Sequence, residues 1–162
     1  MIVEESKKPD LKQIYQQYFD TVYRVCFLYM KNSADAQDMT QETFFRLLNS
    51  SFVFESEEKT KAWLIVTASN CCKSQLKKWW FRKRVEYEDG IVGEQSMQVN
   101  RDVYDAVMSL ADKYSIPTYL YYFEGYRTGE IAGMLHVNQS TVQTRLAKAR
   151  ELLKLELSQE EE

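Results

Sequence analysis

The sequence predicts an all-α protein of two small helical domains joined by a flexible acidic linker, the C-terminal domain being a helix-turn-helix. Apolar residues recur at intervals of three and four in most of the chain, which is the spacing of amphipathic helices. The 162 residues include only five glycines and two prolines, and no stretch alternates as a half-buried strand does. This length suits one large domain or two small ones. We place the domains at 1–84 and 102–162 and the linker at 85–101.

Three helices are predicted in the first domain from the apolar spacing, at 11–30, 34–49 and 59–83. Ser33 stands where a cap for the second helix is needed, because its side-chain oxygen can accept a bond from an unpaired N–H of the first turn. On the third helix, Ile65, Ala68 and Cys72 form the core stripe, and Cys71 points away from it.

The second domain is predicted to contain a helix at 102–110, a second helix ending at 124, and the helix-turn-helix. Pro117 cannot donate a hydrogen bond to the preceding turn, so the second helix is expected to begin near Ile116. The last helix is expected to end at about Leu157, before a frayed tail.

Charge is unevenly distributed along the chain. The formal net charge is −3, which argues against a nucleic-acid binder. Residues 59–84 nevertheless contain eight cations and no anion, whereas 85–105 contain six anions and one cation. The position of the charges is therefore more informative than their sum.

Cysteine and hydropathy patterns set limits on location and chemistry. Three cysteines, of which Cys71 and Cys72 are adjacent, do not indicate a disulfide framework, and one histidine makes a zinc site improbable. No cofactor or metal is predicted. The N-terminal residues have no apolar signal core and no run is long enough to span a bilayer. We expect a cytoplasmic protein with reduced thiols and no membrane insertion.

The outer side of the second helix combines acidic groups with an exposed aromatic ring. Such a surface is either a solvated helix or a docking face for a basic partner helix, since interfaces use aromatics and complementary charge. The pattern leaves both interpretations open. The residues on this side are Asp35, Asp38, Gln41, Glu42, Phe45 and Arg46.

The third helix interleaves cations and aromatic rings on one face, which includes Trp63, Asn70, Lys73, Lys77 and Phe81. Single-stranded nucleic acid suits such a face, because phosphates meet the cations and unstacked bases meet the rings. The alternative is a basic solvated face with Trp63 packed under the preceding loop. Cys71 could be a reactive thiol, but no His, Asp or Glu lies within a helical turn to act as its base.

The helix-turn-helix pattern covers 125–150. Val142, Leu146, Ala149 and Leu153 fall on one stripe of its second helix, and Asn138 is a natural N-cap. Amides, cations and small residues occupy the opposite side, and these are the groups that a helix in the major groove needs. The alternative is a helical hairpin with a solvated polar face. The opposite side consists of Ser140, Gln143, Thr144, Ala147 and Lys148.

Three stretches together resemble the bacterial sigma factors of RNA polymerase, in their compact extracytoplasmic-function (ECF) group. They are 35–47 (DAQDMTQETFFRL), the span from Lys61 to Lys78 and 122–150, in the order and spacing of that family. His136 departs from the family pattern because a glycine usually stands at that turn. Ser69 and Ser74 depart from it too, where Arg and Asp are common.

The resemblance implies a protein without enzymatic activity that binds core RNA polymerase, through the β′ coiled coil and the β subunit, and promoter DNA. Members of the family are also commonly covered by an anti-sigma factor. The implied polymerase-binding residues are Asp35, Asp38, Gln41, Glu42, Phe45 and Arg46. The implied −10 residues are Lys61, Trp63, Asn70, Lys73, Lys77 and Lys78, and the implied −35 residues are Ser140, Thr141, Gln143, Thr144, Arg145 and Lys148.

Two rival functions make different predictions. A helix-turn-helix regulator that works without polymerase would bind specific DNA as the purified protein and would tolerate charge reversal at Asp38 or Glu42. A thiol redox enzyme centred on Cys71 and Cys72 would lose activity on Cys71→Ser. Adjacent helical residues point about 100° apart, which disfavours a pairing of these two thiols.

Overall fold

The computed structural model describes residues 10–86 and 103–160, with side chains over 10–80 and 103–154. The chain divides into two compact units, Met1–Gln75 and Leu76–Glu162. The described ranges contain seven helices and no strand, which confirms the predicted all-α class. The predicted linker at 85–101 lies almost entirely outside these ranges, and the domain boundaries stay predictions. The helices are α1 (Leu11–Met30), α2 (Ser33–Leu48), α3 (Glu57–Glu86), α4 (Val103–Met108), α5 (Asp112–Tyr122), α6 (Thr128–Leu135) and α7 (Gln139–Glu160).

The turn between α1 and α2 is closed by one left-handed residue and one cap. Lys31 has φ 64°, and its N–H donates to the carbonyl of Phe27 at 2.8 Å. Asn32 is extended, and its side-chain oxygen accepts from the Asp35 N–H at 2.9 Å. The prediction that Ser33 is the cap was therefore wrong, because the extended residue is Asn32 and Ser33 is already helical.

The first turn of α3 begins two residues earlier than predicted. The Ser56 hydroxyl oxygen accepts from the Lys59 N–H at 3.1 Å, and the Ser56 carbonyl accepts from the Thr60 N–H at 3.1 Å. Ser56 is therefore the N-cap, and Glu57 and Glu58 fall in the first turn, where carboxylates are favourable near the positive end of the helix dipole.

The core of the first unit consists of the facing stripes of α1, α2 and α3. Leu11 and Tyr15 share the apolar spacing of α1 but lie outside this core, since Leu11 is 40% and Tyr15 41% exposed. The Tyr15 ring instead packs edge-on against Phe44 of α2, with centroids 4.8 Å apart. The fully buried members include Val22, Val25, Cys26, Leu28, Ala36, Thr40, Thr43, Leu64, Ile65, Ala68 and Cys72.

Pro117 lies inside α5, which begins at Asp112 and not near Ile116 as predicted. The first turn is held by Ala111, whose carbonyl accepts from the N–H groups of Tyr114 and Ser115 at 2.9 Å each. Pro117 has no N–H to donate to the turn before it, so α5 loses one hydrogen bond of its ladder while its first turn keeps its own.

A non-glycine residue closes the turn between α6 and α7. His136 has φ 57° and ψ 44°, which is the left-handed conformation. The histidine that stands where the family usually has glycine therefore adopts the backbone that favours glycine. The Val137 N–H donates to the Ala132 carbonyl at 3.0 Å, and the Asn138 carbonyl accepts from the Val142 N–H at 3.2 Å. Helix α7 continues to Glu160, three residues beyond its predicted end. The buried side chains of this hairpin are Ile131, Ala132, Leu135, Val142, Leu146 and Ala149.

Candidate protein and nucleic-acid interfaces

The outer face of α2 presents a large aromatic ring among charged groups. The Phe45 side chain is 60% exposed, in contrast to its buried neighbour Phe44. At the next residue, Arg46, the Nε atom lies 3.3 Å from Glu42 Oε1, an exposed i,i+4 pair of the kind that adds little stability. Of the remaining predicted residues of this face, Asp38 and Gln41 are exposed and Asp35 is half-buried.

Asp35 lies on this face and also takes part in capping α2. Its side-chain oxygen accepts a hydrogen bond from the Asn32 amide at 2.5 Å, and its backbone N–H donates to the Asn32 oxygen. The carboxylate therefore also holds the start of α2. A substitution of Asp35 would change helix capping as well as any contact with a partner.

Leu48 belongs to this face although the sequence analysis did not include it. It is 58% exposed and follows Phe45 by three residues, so the two side chains lie on the same side of α2. Together they form an apolar patch, which we call the α2 patch. The i,i+3 spacing from an exposed aromatic is the signal that could have identified Leu48.

The predicted −10 residues lie along one helix, α3. Asn70, Lys73, Lys77 and Lys78 are exposed, Lys61 and Trp63 are half-buried, and the side chain of Phe81 lies outside the described residues. This arrangement places one amide and three cations on the surface of a single rod.

Trp63 packs against the loop before α3. Its ring centroid lies 5.2 Å from that of Phe52, and the Phe52 ring meets Phe54 edge-on at 5.3 Å. The three rings form a cluster that attaches the loop to the helix. This geometry favours the alternative interpretation of Trp63 as a residue packed under the loop, so its effect on a bound strand would be exerted through the loop.

The cysteines of the first unit are buried, and the prediction that Cys71 points away from the core was wrong. Cys71 is 3% exposed because its side of α3 is covered by α2, where Thr43 and Arg46 interact with it. Burial raises the pKa of Cys71, and a hydrogen bond with Cys26 together with burial raises that of Cys72. A raised pKa and a closed environment both oppose thiolate chemistry at this pair.

Helix α7 separates a buried stripe from a polar outer face. Val142, Leu146 and Ala149 are buried as predicted, and Leu153 is half-buried. The outer face, from Ser140 to Glu151, includes small and polar side chains, and the Thr144 hydroxyl donates to the Ser140 carbonyl at 2.9 Å. Five predicted −35 residues belong to this face or its edges: Ser140, Gln143, Thr144 and Lys148 are exposed, and Thr141 is half-buried.

Arg145, like Thr141, is a predicted −35 residue that is half-buried. Lys148 has its ammonium nitrogen 3.7 Å from Glu151 Oε2 in an exposed pair. An exposed lysine is suited to a phosphate, which attracts it as a point charge, whereas the Gln143 amide is suited to a base edge.

Within the described parts of the chain, no group of three or more His, Cys, Asp or Glu side chains is arranged to hold a metal ion. Over the same residues, no helix combines the length and apolar character that crossing a bilayer requires.

Two family models match successive parts of the chain. Sigma-70 region 2 matches residues 14–82, which include α2 and most of α1 and α3. Sigma-70, region 4 matches residues 100–153, which include α4 to α6 and the outer face of α7. The α2 and α3 faces therefore fall in one region of this family and the α7 face in another.

Curated relatives and a solved structure agree with these matches. RNA polymerase sigma factor SigV of Bacillus subtilis is 31% identical over 147 residues, covering 86% of each chain. ECF RNA polymerase sigma factor SigW of the same organism is 25% identical over 180 residues, covering 96% of this chain and 94% of SigW.

The fold is similar to that of the sigma factor RpoE from Bartonella quintana, solved in complex with the anti-sigma factor NepR. The TM-score is 0.73 at 20% identity, over 92% of this chain and 97% of that one. The chain thus belongs to the sigma-70 family of RNA polymerase sigma factors, in its ECF group, and acts in promoter-specific transcription initiation through RNA polymerase.

Proposed function

We propose that this sigma factor binds core RNA polymerase through the outer face of α2, holds the opened −10 element along α3, and places α7 in the major groove of the −35 element. The observation that carries the proposal is the chemical difference between the faces. The α2 patch is apolar and bordered by charge, the α3 face is cationic, and the α7 face is small and polar.

The α2 patch has the composition of a protein-binding surface. Phe45 and Leu48 supply exposed apolar area, and Asp38 and Glu42 supply charge that can fix the orientation of a basic partner helix. The family resemblance implies that this partner is the β′ coiled coil. Burial of the Phe45 ring would supply most of the binding energy, because a few aromatic anchors dominate most interfaces.

The α3 face would contact the strand that is exposed when the promoter opens. Lys73, Lys77 and Lys78 can meet its phosphates, and the Asn70 amide can meet a base edge. Trp63 would act by holding the loop that contains Phe52 and Phe54 beside this face.

The α7 face would read the −35 element directly. Gln143 carries the amide that pairs with adenine, and the short side chains of Ser140 and Thr144 allow close approach. Thr141, Arg145 and Lys148 would lie nearer the phosphates, and contacts of that kind set the register of the helix.

Binding to polymerase would supply the affinity for DNA that the free protein lacks. A net charge of −3 and few phosphate contacts per unit predict weak binding of the isolated protein to DNA. Polymerase would hold both DNA-reading helices at a fixed spacing and so raise their effective concentration. The protein would work in the cytoplasm and change where polymerase starts, without catalysis of its own.

An anti-sigma protein is a further proposed partner. The Bartonella relative was solved with one, and the α2 patch is an exposed apolar surface that such a protein could cover. If the anti-sigma protein competed with polymerase for Phe45, it would keep the sigma factor inactive.

The test is in-vitro transcription with core polymerase, with and without this protein, on a promoter library. We expect run-off products that depend on the protein and that fall by about tenfold or more with Glu42→Lys, because like charges brought together at an interface cost several kcal/mol. Asp20→Lys is the matched control, because it reverses an exposed acid of α1 outside the α2 face. Products that survive Glu42→Lys would refute the docking assignment. Specific DNA binding by the protein alone would support the stand-alone regulator instead.

A further inference from the structure

A side-chain hydrogen bond connects the first residues of the two helices in the helix-turn-helix. Gln139 Nε2 donates to Thr128 Oγ1 at 2.9 Å, although the two residues are eleven positions apart. Thr128 begins α6 and Gln139 begins α7. The bond therefore bridges the whole of α6 and the turn that follows it.

Other contacts hold the two helices together, but at different places. The buried residues Ile131, Leu135 and Val142 supply apolar contact between them, and the Val137 N–H closes the turn on the Ala132 carbonyl at 3.0 Å. Apolar packing is not directional. A directional hydrogen bond at the far end of α6 is therefore suited to select one angle between the helices.

The Gln139 side chain also lies over the beginning of α6. A Cβ at Gly129 would be 3.9 Å from Gln139 Oε1, which is ordinary van der Waals distance. The long side chain thus follows the surface of α6 for one residue beyond its hydrogen-bond partner. This placement favours a defined position for Gln139 over free movement in solvent.

We infer that Gln139 and Thr128 are positioning residues for −35 recognition, which set the angle at which α7 enters the major groove. The inference rests on the proposed function of α7. Gln143 follows Gln139 by one turn, so a change in the angle of α7 moves its amide relative to the base edge. Direct readout depends on hydrogen bonds of about 2.7–3.2 Å, so small displacements reduce discrimination between base pairs more than they reduce overall binding.

The size of the effect is limited by exposure. Both side chains are accessible to water, and a hydrogen bond of this kind contributes about 0.5–1.5 kcal/mol, a factor of about 2 to 10 in an equilibrium constant. We therefore expect a loss of discrimination of about 2- to 10-fold.

A double-mutant cycle in the holoenzyme tests the inference. Gln139→Ala, Thr128→Val and the double variant are compared on promoters that differ by single base pairs in the −35 element, and the ratio of run-off products gives the discrimination. We expect each single variant to lower it about 2- to 10-fold, and the double variant to lower it no further. Thr128→Ser keeps the hydroxyl and should retain discrimination. Gln13→Ala, an exposed glutamine of α1, is the matched control.

Two outcomes would overturn the inference. Additive losses in the double variant would mean that Gln139 contacts DNA independently of Thr128. A lower melting temperature with unchanged discrimination would mean that the pair only stabilises the fold. Gln143→Ala is measured alongside: if it also leaves the −35 preference unchanged, the proposed function of α7 is wrong, whereas a clear effect of Gln143→Ala with none at Gln139 refutes only the positioning role.

Discussion

The outer faces of α2 and α7 differ in one respect that their charges do not reveal. The α2 face exposes the large apolar side chains of Phe45 and Leu48. The α7 face exposes no large apolar side chain between Gln139 and Lys154, the part of this helix whose side chains the structure describes. Protein interfaces gain energy by burying aromatic area, whereas a helix in a groove needs close approach and hydrogen-bonding groups. The contrast supports the proposal of a protein partner for α2 and a nucleic-acid partner for α7.

Removal of the Phe45 ring is expected to have the largest effect. Phe45→Ala should weaken binding to core polymerase by about 30-fold, since truncation of a buried interface anchor costs about 2 kcal/mol or more. Equilibrium binding of labelled protein to core polymerase measures the loss.

The matched control for Phe45→Ala is Val53→Ala in the loop before α3, where Val53 is 68% exposed. This variant removes exposed apolar area outside the α2 patch and should leave polymerase binding unchanged. Equal losses of polymerase binding for both variants would mean that removing any exposed apolar side chain weakens binding, and that the α2 patch is not the specific binding surface.

A smaller and sequence-specific effect is expected on α7. Gln143→Ala should reduce initiation from a preferred promoter by about 5- to 30-fold, which corresponds to about 1–2 kcal/mol for a lost base contact. The loss should disappear on promoters in which the −35 base pair that Gln143 contacts is replaced, because the contact is then absent with either residue. Uniform loss on all promoters would show that Gln143 does not read a base.

Lys148→Ala should have a weaker effect that does not depend on sequence. Its ammonium group would contact phosphate, so the variant should lower the dependence of promoter binding on salt concentration by a slope of about 1. Titration of holoenzyme binding against salt gives this slope. An unchanged slope would contradict the phosphate contact, and the exposed pair with Glu151 is too weak to hide it.

The smallest effects are expected from one buried serine in the interior of each unit. The hydroxyls of Ser69 in α3 and Ser115 in α5 are buried with no hydrogen-bond partner among the described residues. Ser69→Ala and Ser115→Ala should each raise the free energy of unfolding by about 1 kcal/mol, because each removes an unsatisfied polar group. Denaturant unfolding measures the change. A destabilising effect would indicate a partner for the hydroxyl, such as a buried water.

Much of the fold could be predicted from apolar spacing. The bounds of α1 agree with the prediction to the residue, and the buried stripe of α7 through Val142, Leu146 and Ala149 is confirmed. Long amphipathic helices are predictable because three or more turns repeat one pattern. Their ends depend on single residues, and apolar spacing does not distinguish Ser33 from the observed cap Asn32.

The remaining differences depend on contacts between helices, which spacing does not specify. Cys71 is buried because α2 covers that side of α3, and Trp63 is half-buried because a loop returns over it. Leu48 was missed for a related reason, since a leucine near a helix end fits both a core and an exposed patch. The candidate faces could be located from sequence, but the neighbours of each residue could not.

Both units turn a helical hairpin on a non-glycine residue at positive φ, Lys31 in one and His136 in the other. Glycine adopts this backbone without the steric conflict that other residues meet there. Replacing Lys31 or His136 by glycine should therefore relieve this conflict and raise the melting temperature of the unit that contains it. Each replacement acts on one unit. The two units could in this way be made to melt at different temperatures.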